Sequence, residues 1–154
     1  MEEVVKKAIE IFMEIYNKAG EKNIKGEFGA SLRARARNAP LLTATRGLLP
    51  YILFLASKAS EDNWKISLDN INFDKNKGGY QAQLYAIAKF LQEEDVITLP
   101  NFDTKELLLE LKVMGENSPE KYLLAEELVQ SFTEQFKRLA EALLPDKKKE
   151  GEAS

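Results

Sequence analysis

Arg33, Arg35, Arg37 and Arg46 are the residues with the most specific chemistry in this chain. Four of its five arginines fall within fourteen positions, and every other basic residue except Arg138 is a lysine. A guanidinium presents a planar fork of donors that fits phosphate or carboxylate through two bonds at once, so arginine concentrated in a lysine-rich protein points to a binding face. The surrounding stretch, FGASLRARARNAPLLTATRGLLPYILFLASKAS over residues 28–60, has no Asp or Glu and, with Lys58, carries a formal +5; the rest of the chain carries −8. One cationic patch on an acidic body suits a local contact with a phosphate backbone and excludes general coating of nucleic acid. The same arginines would serve as partners for protein carboxylates, and residue types alone do not separate the two uses.

Other groups offer less. Lys75, Lys77 and Lys89 are candidates for the same anion on charge alone. Glu93-Glu94-Asp95 has donors for a hard cation, although adjacent acids at a helix end serve more often as solvated charge. Gly78-Gly79 ahead of a helix offers amides to a phosphate, and equally an ordinary turn. Tyr80, Tyr85, Trp64 and Phe73 have faces on which bases stack, at spacings that also belong to core packing. The chain has no histidine and no cysteine, which removes the usual nucleophilic triads and the usual zinc, haem and thiol chemistry. No catalytic residue, metal site or cofactor is expected.

Helices must position these side chains. Val5, Ala8, Ile9, Phe12, Met13, Tyr16 and Ala19 recur at three- and four-residue spacings, which predicts an amphipathic helix over 1–19 closed by Gly20. Residues 21–26 read as a polar connection. Around Arg33–Arg37 the alanines favour helix over strand, with Leu32, Ala36 and Ala39 inward. Arg33 and Arg37 then share a flank, while Arg35 points about 200° away. Asn38-Ala39-Pro40 is expected to bend the chain, and Gly47 with Pro50 to break it again before an aliphatic helix over 49–59.

Residues 61–77 read as the longest loop, and Tyr80–Gln92 as a core helix; Val96–Leu99 reads as an extended connector. Asp103 and Glu106 form a capping box for a helix over 104–114, ended by Gly115. Ser118-Pro119-Glu120 opens a long last helix whose stripe includes Leu124, Leu128, Phe132, Phe136 and Leu143, stopped by Pro145. The predicted fold is all-α: one compact domain of about six helices over 1–145, followed by a disordered charged tail over 146–154. The longest apolar run falls short of the roughly 20 residues a membrane helix needs, and no signal-peptide pattern opens the chain. A soluble cytoplasmic protein with no membrane partner is expected.

The order of features in ASLRARARNAPLLTATRGLLPYILFLASKA is a basic helix, an Ala-Pro joint, a small-residue segment with Gly-Leu-Leu, then an aliphatic helix. It resembles the small (fifth) subunit of the Cmr effector complex, the type III-B CRISPR RNA-guided interference machinery. GGYQAQLYAIAKFLQ and YLLAEELVQSFTEQFKRLAEALL with its charged tail are similar to later parts of that family, while residues 61–77 find no counterpart. The resemblance implies a non-catalytic, all-helical protein of antiviral defence. It would stack in several copies beside the backbone and large subunits, where CRISPR RNA pairs with target RNA, and leave cleavage to other subunits.

Within the matching block lie Arg33, Arg35, Arg37 and Arg46, and the expected role is to screen RNA backbone charge. Arg33 and Arg37 are expected to form the RNA-facing pair, and replacing Arg33, Arg35 and Arg37 by alanine to leave thermal stability nearly unchanged. The alternative is a helical protein–protein scaffold without RNA contact. A metal-dependent hydrolase built on Glu93-Glu94-Asp95 is the further rival.

Overall fold

The computed structural model describes residues 2–59 and 62–146, which hold seven α-helices, no strand and one isolated antiparallel bridge between Lys65 and Asp103. The helices are α1 (Glu2–Ala19), α2 (Glu21–Ile24), α3 (Glu27–Arg46), α4 (Leu48–Ala59), α5 (Lys77–Glu93), α6 (Thr104–Asn117) and α7 (Pro119–Leu143), with a 3₁₀ turn at Leu68–Asn70. From residue 147 on, the expected tail lies outside the described residues. The all-α class and the number of long helices are as the sequence predicts; α2 is a single turn inside the expected polar connection, pinned by buried Ile24.

α1 buries Ala8, Ile11, Phe12, Ile15 and Ala19. This stripe is rotated from the expected one, since Ile9 is 44% exposed while Ile11 and Ile15 are enclosed. The reason is that α1 packs on both α7 and α5, with Phe12 meeting the Phe136 ring edge-on at 5.2 Å. Gly20 ends the helix at φ 81°, where a side chain would be strained.

The expected bend before Pro40 does not occur. α3 runs unbroken to Arg46, with Pro40 buried inside it. Proline removes one amide from the helical ladder, but α3 is held between α7 and α5 by Phe28, Leu32, Ala36, Ala39 and Thr43, and tertiary burial outweighs a single missing bond. The break falls instead at Gly47, φ 89°. α4 then starts with its amides capped from α7: Leu48 N–H donates to Glu126 Oε2 at 2.8 Å and Leu49 N–H to Tyr122 Oη at 2.9 Å.

Gly78 and Gly79 lie buried in the first turn of α5. A Cβ on Gly79 would overlap the Ser31 side chain, and one on Gly78 would overlap the Asn72 carbonyl. Ser31 Oγ donates to the Asn76 carbonyl at 2.6 Å. The glycine pair therefore serves close approach of α5 to α3, and its amides already donate to Lys75 and Asn76 carbonyls. Further along, Phe90 stacks on Phe132 with ring centroids 4.4 Å apart.

Asp103 caps α6 as expected, its Oδ1 accepting from Glu106 N–H at 2.8 Å, while the Glu106 carboxylate accepts from the Asn101 and Phe102 amides. α6 continues past Gly115 to Asn117. α7 buries Ala125, Val129, Phe132, Phe136 and Ala140, a narrower face than expected: Leu128 is half-buried, and Leu124 and Leu143 are exposed. Among the described residues no helix is long and apolar enough to cross a membrane.

Candidate nucleic-acid interface

Because α3 sits between α7 and α5, its arginines leave from opposite flanks. At about 100° per residue, Arg33 and Arg37 lie about 40° apart, and Arg35 and Arg46 lie about 20° apart on the other side. The contacts follow this division. Half-buried Arg33 donates from Nη1 to the carbonyls of Glu141 at 3.0 Å and Leu144 at 2.7 Å, the unsatisfied end of α7. Exposed Arg37 has Nη2 3.7 Å from Asp146 Oδ2.

On the other flank, the Arg35 guanidinium stands 4.3 Å from the centroid of the Tyr80 ring, and that of Arg46 stands 5.6 Å from Phe54. Tyr80 and Phe54 meet edge to face, centroids 6.3 Å apart and planes at 68°. The result is a continuous row of Arg35, Tyr80, Phe54 and Arg46 across α3, α5 and α4.

Between the flanks, the N-terminal half of the outer face of α3 is made of small residues. Ala30 and Ala34 line a cavity of about 430 Å³ together with Arg33, Arg35 and Arg37; Glu27 and Asp146 bring carboxylates to it. Guanidinium groups around an alanine floor leave room for a tetrahedral or planar anion to approach the helix closely.

The lysines named from charge lie elsewhere. Lys89 is 3.8 Å from Glu93 on the face of α5 toward α1, and Glu93 is also 3.1 Å from Lys7. The hydrogen bond from Lys7 to Glu93 raises the Lys7 pKa above its ordinary value. Glu93 is thus held by two lysines, and among the described residues no group of three or more acidic side chains could hold a metal ion. Lys77 lines a separate cavity with Trp64, Asn72 and Gln81. Exposed Lys75 is next to Asn76, which lines the arginine cavity.

Of the four aromatic residues considered for stacking, only Tyr80 joins the arginines. Tyr85 is buried and donates to Glu14 Oε2 at 3.0 Å, Phe73 packs on Phe28, and Trp64 donates to the Asn70 carbonyl. Phe54 escaped notice because it lies within an unbroken apolar run. The eleven-residue spacing of Arg35 and Arg46, about three helical turns, is the sequence signal that these two share a line.

Across nearly the whole of this architecture, residues 3–143, the chain matches the family model described as CRISPR-associated protein (Cas_Cmr5). The chain belongs to the small-subunit family of type III-B CRISPR (Cmr) complexes. No curated protein and no solved structure matches it significantly. The match takes in residues 61–77, for which the sequence resemblance had no counterpart, and α1. In this Cmr small subunit the arginine block therefore belongs to a fold that the family model spans as a unit.

Proposed function

We propose that this Cmr small subunit is a non-catalytic, cytoplasmic component of a type III-B effector in antiviral defence. It stacks in several copies beside the backbone and large subunits and touches the backbone of the CRISPR RNA or target RNA. The observation that carries the RNA contact is the arrangement of α3. An acid-free block of sequence is folded so that Arg33, Arg35 and Arg37 flank a cavity with an alanine floor. Arg37 and Arg46, both exposed, are the residues best placed to meet phosphate. Arg33 is engaged at the end of α7.

Stacking is supported by exposed Leu41, Leu53 and Leu123, apolar area of a kind that subunit contacts cover. The non-catalytic role is supported by the absence of His and Cys from the sequence and by the two lysines that hold Glu93. One patch on an acidic protein offers few phosphate contacts, so assembly supplies affinity by linking several patches.

The test is target RNA binding by assembled complexes carrying Arg37→Gln and Arg46→Gln. Each lost phosphate contact should flatten the slope of log affinity against log salt by about 0.7. Slopes equal to wild type would assign these arginines to protein carboxylates, as Arg37 and Asp146 already exemplify within the chain, and would favour the scaffold alternative.

A further inference from the structure

We propose that the row Arg35, Tyr80, Phe54 and Arg46 is a stacking surface for unpaired bases of single-stranded RNA. This inference rests on the reading that the chain touches RNA, and extends it from phosphates to bases. Both rings are half-buried, with their bodies anchored in the bundle and the remainder facing solvent. A guanidinium lies over each ring, at 4.3 Å and 5.6 Å. Arg planes stack on bases as aromatic rings do, so the row is a run of stacking groups ended by cations that can hold the flanking phosphates.

The geometry selects the kind of RNA. Arg35 and Arg46 are separated by about 16 Å of helix, which spans more than one nucleotide. The two rings stand at 68° to each other, so successive bases cannot lie flat on both while stacked in a helix. A strand whose bases are splayed fits; a duplex does not. Lys58, exposed one turn beyond Phe54 on α4, continues the positive charge along the same face.

The experiment is an NMR titration of the full chain at low salt with hexauridylate, with an abasic ribose-phosphate hexamer of the same charge, and with hexaglutamate. The ring protons of Tyr80 and Phe54 should move upfield with hexauridylate and stay in place with the abasic strand. Hexauridylate should bind about tenfold more tightly than the abasic strand. In Tyr80→Leu/Phe54→Leu this preference should vanish while the salt dependence of binding is kept.

Equal binding of both strands, with arginine side chains shifting and rings still, would overturn base stacking and leave the RNA contact standing. No response to either strand would overturn base stacking, while the phosphate contact of the assembled complex would still be read from its own salt slope. Ring shifts produced equally by hexaglutamate would make the row an acidic-peptide surface and overturn the proposal. The comparison of strands uses the unmodified protein, so it holds even where the double substitution impairs folding.

Discussion

Arg33 Nη1 donates to the Leu144 carbonyl at 2.7 Å, tying the middle of α3 to the end of α7 across 111 residues of sequence. The guanidinium brings positive charge to the C-terminus of a 25-residue helix, where carbonyls lack partners and the helix dipole is negative. Arg33→Met, which keeps the aliphatic stem, should therefore cost about 1–3 kcal/mol in a urea titration. Arg37→Ala, at an exposed ion pair, should cost under about 1 kcal/mol. This revises the expectation that replacing Arg33, Arg35 and Arg37 by alanine leaves thermal stability nearly unchanged. Equal stability of both variants and wild type would show that the Arg33 cap contributes nothing.

Gly79 and Gly115 should respond to alanine in opposite directions. At Gly79 a Cβ meets Ser31, backbone included, so Gly79→Ala should force α5 from α3 at a cost of about 1–3 kcal/mol. At exposed Gly115 the nearest neighbour is the Tyr122 ring at 3.7 Å, ordinary contact. Gly115→Ala should stabilise the helix by up to about 1 kcal/mol. Thermal melts of the two variants read the sign directly.

Phe132 is enclosed between Phe90, stacked at 4.4 Å, and Phe136 at 5.6 Å. Phe132→Ala should cost about 3–5 kcal/mol. Half-buried Leu128 on the same helix should cost about 1 kcal/mol when cut to alanine. Denaturant titration separates them; similar losses would mean that the Phe132 site collapses around the missing ring.

The hydrogen bond from the Glu106 amide holds the Asp103 carboxyl below its ordinary value of 3.8. A carboxyl with a depressed folded pKa contributes stability that is present above its unfolded value and is lost as pH falls through the folded one. Asp103→Ala should thus be less stable than wild type at neutral pH, with the gap narrowing in acid below that value. Asp103→Asn, which keeps a capping acceptor, should stay closer to wild type at neutral pH. Melting temperatures across that range check this, and a gap independent of pH would remove the carboxylate charge from the explanation.

The sequence by itself determined the helical class, most helix starts and the acid-free basic block. Those signals are local: Asp103 caps an amide three residues away, Pro119 opens the turn it occupies, and three- and four-residue spacing marks a helix wherever it packs. Only the tertiary structure decided that α3 passes through Pro40, that α1 buries Ile11 and Ile15 in place of Ile9, and that Gly79 is a crossing point. It likewise sent Arg33 to a helix end and Arg35 to a ring, although the two are alike in type and two positions apart. The partners in these contacts, Leu144, Ser31 and Tyr80, are distant in sequence, and burial against them outweighs the local preferences from which a sequence is read.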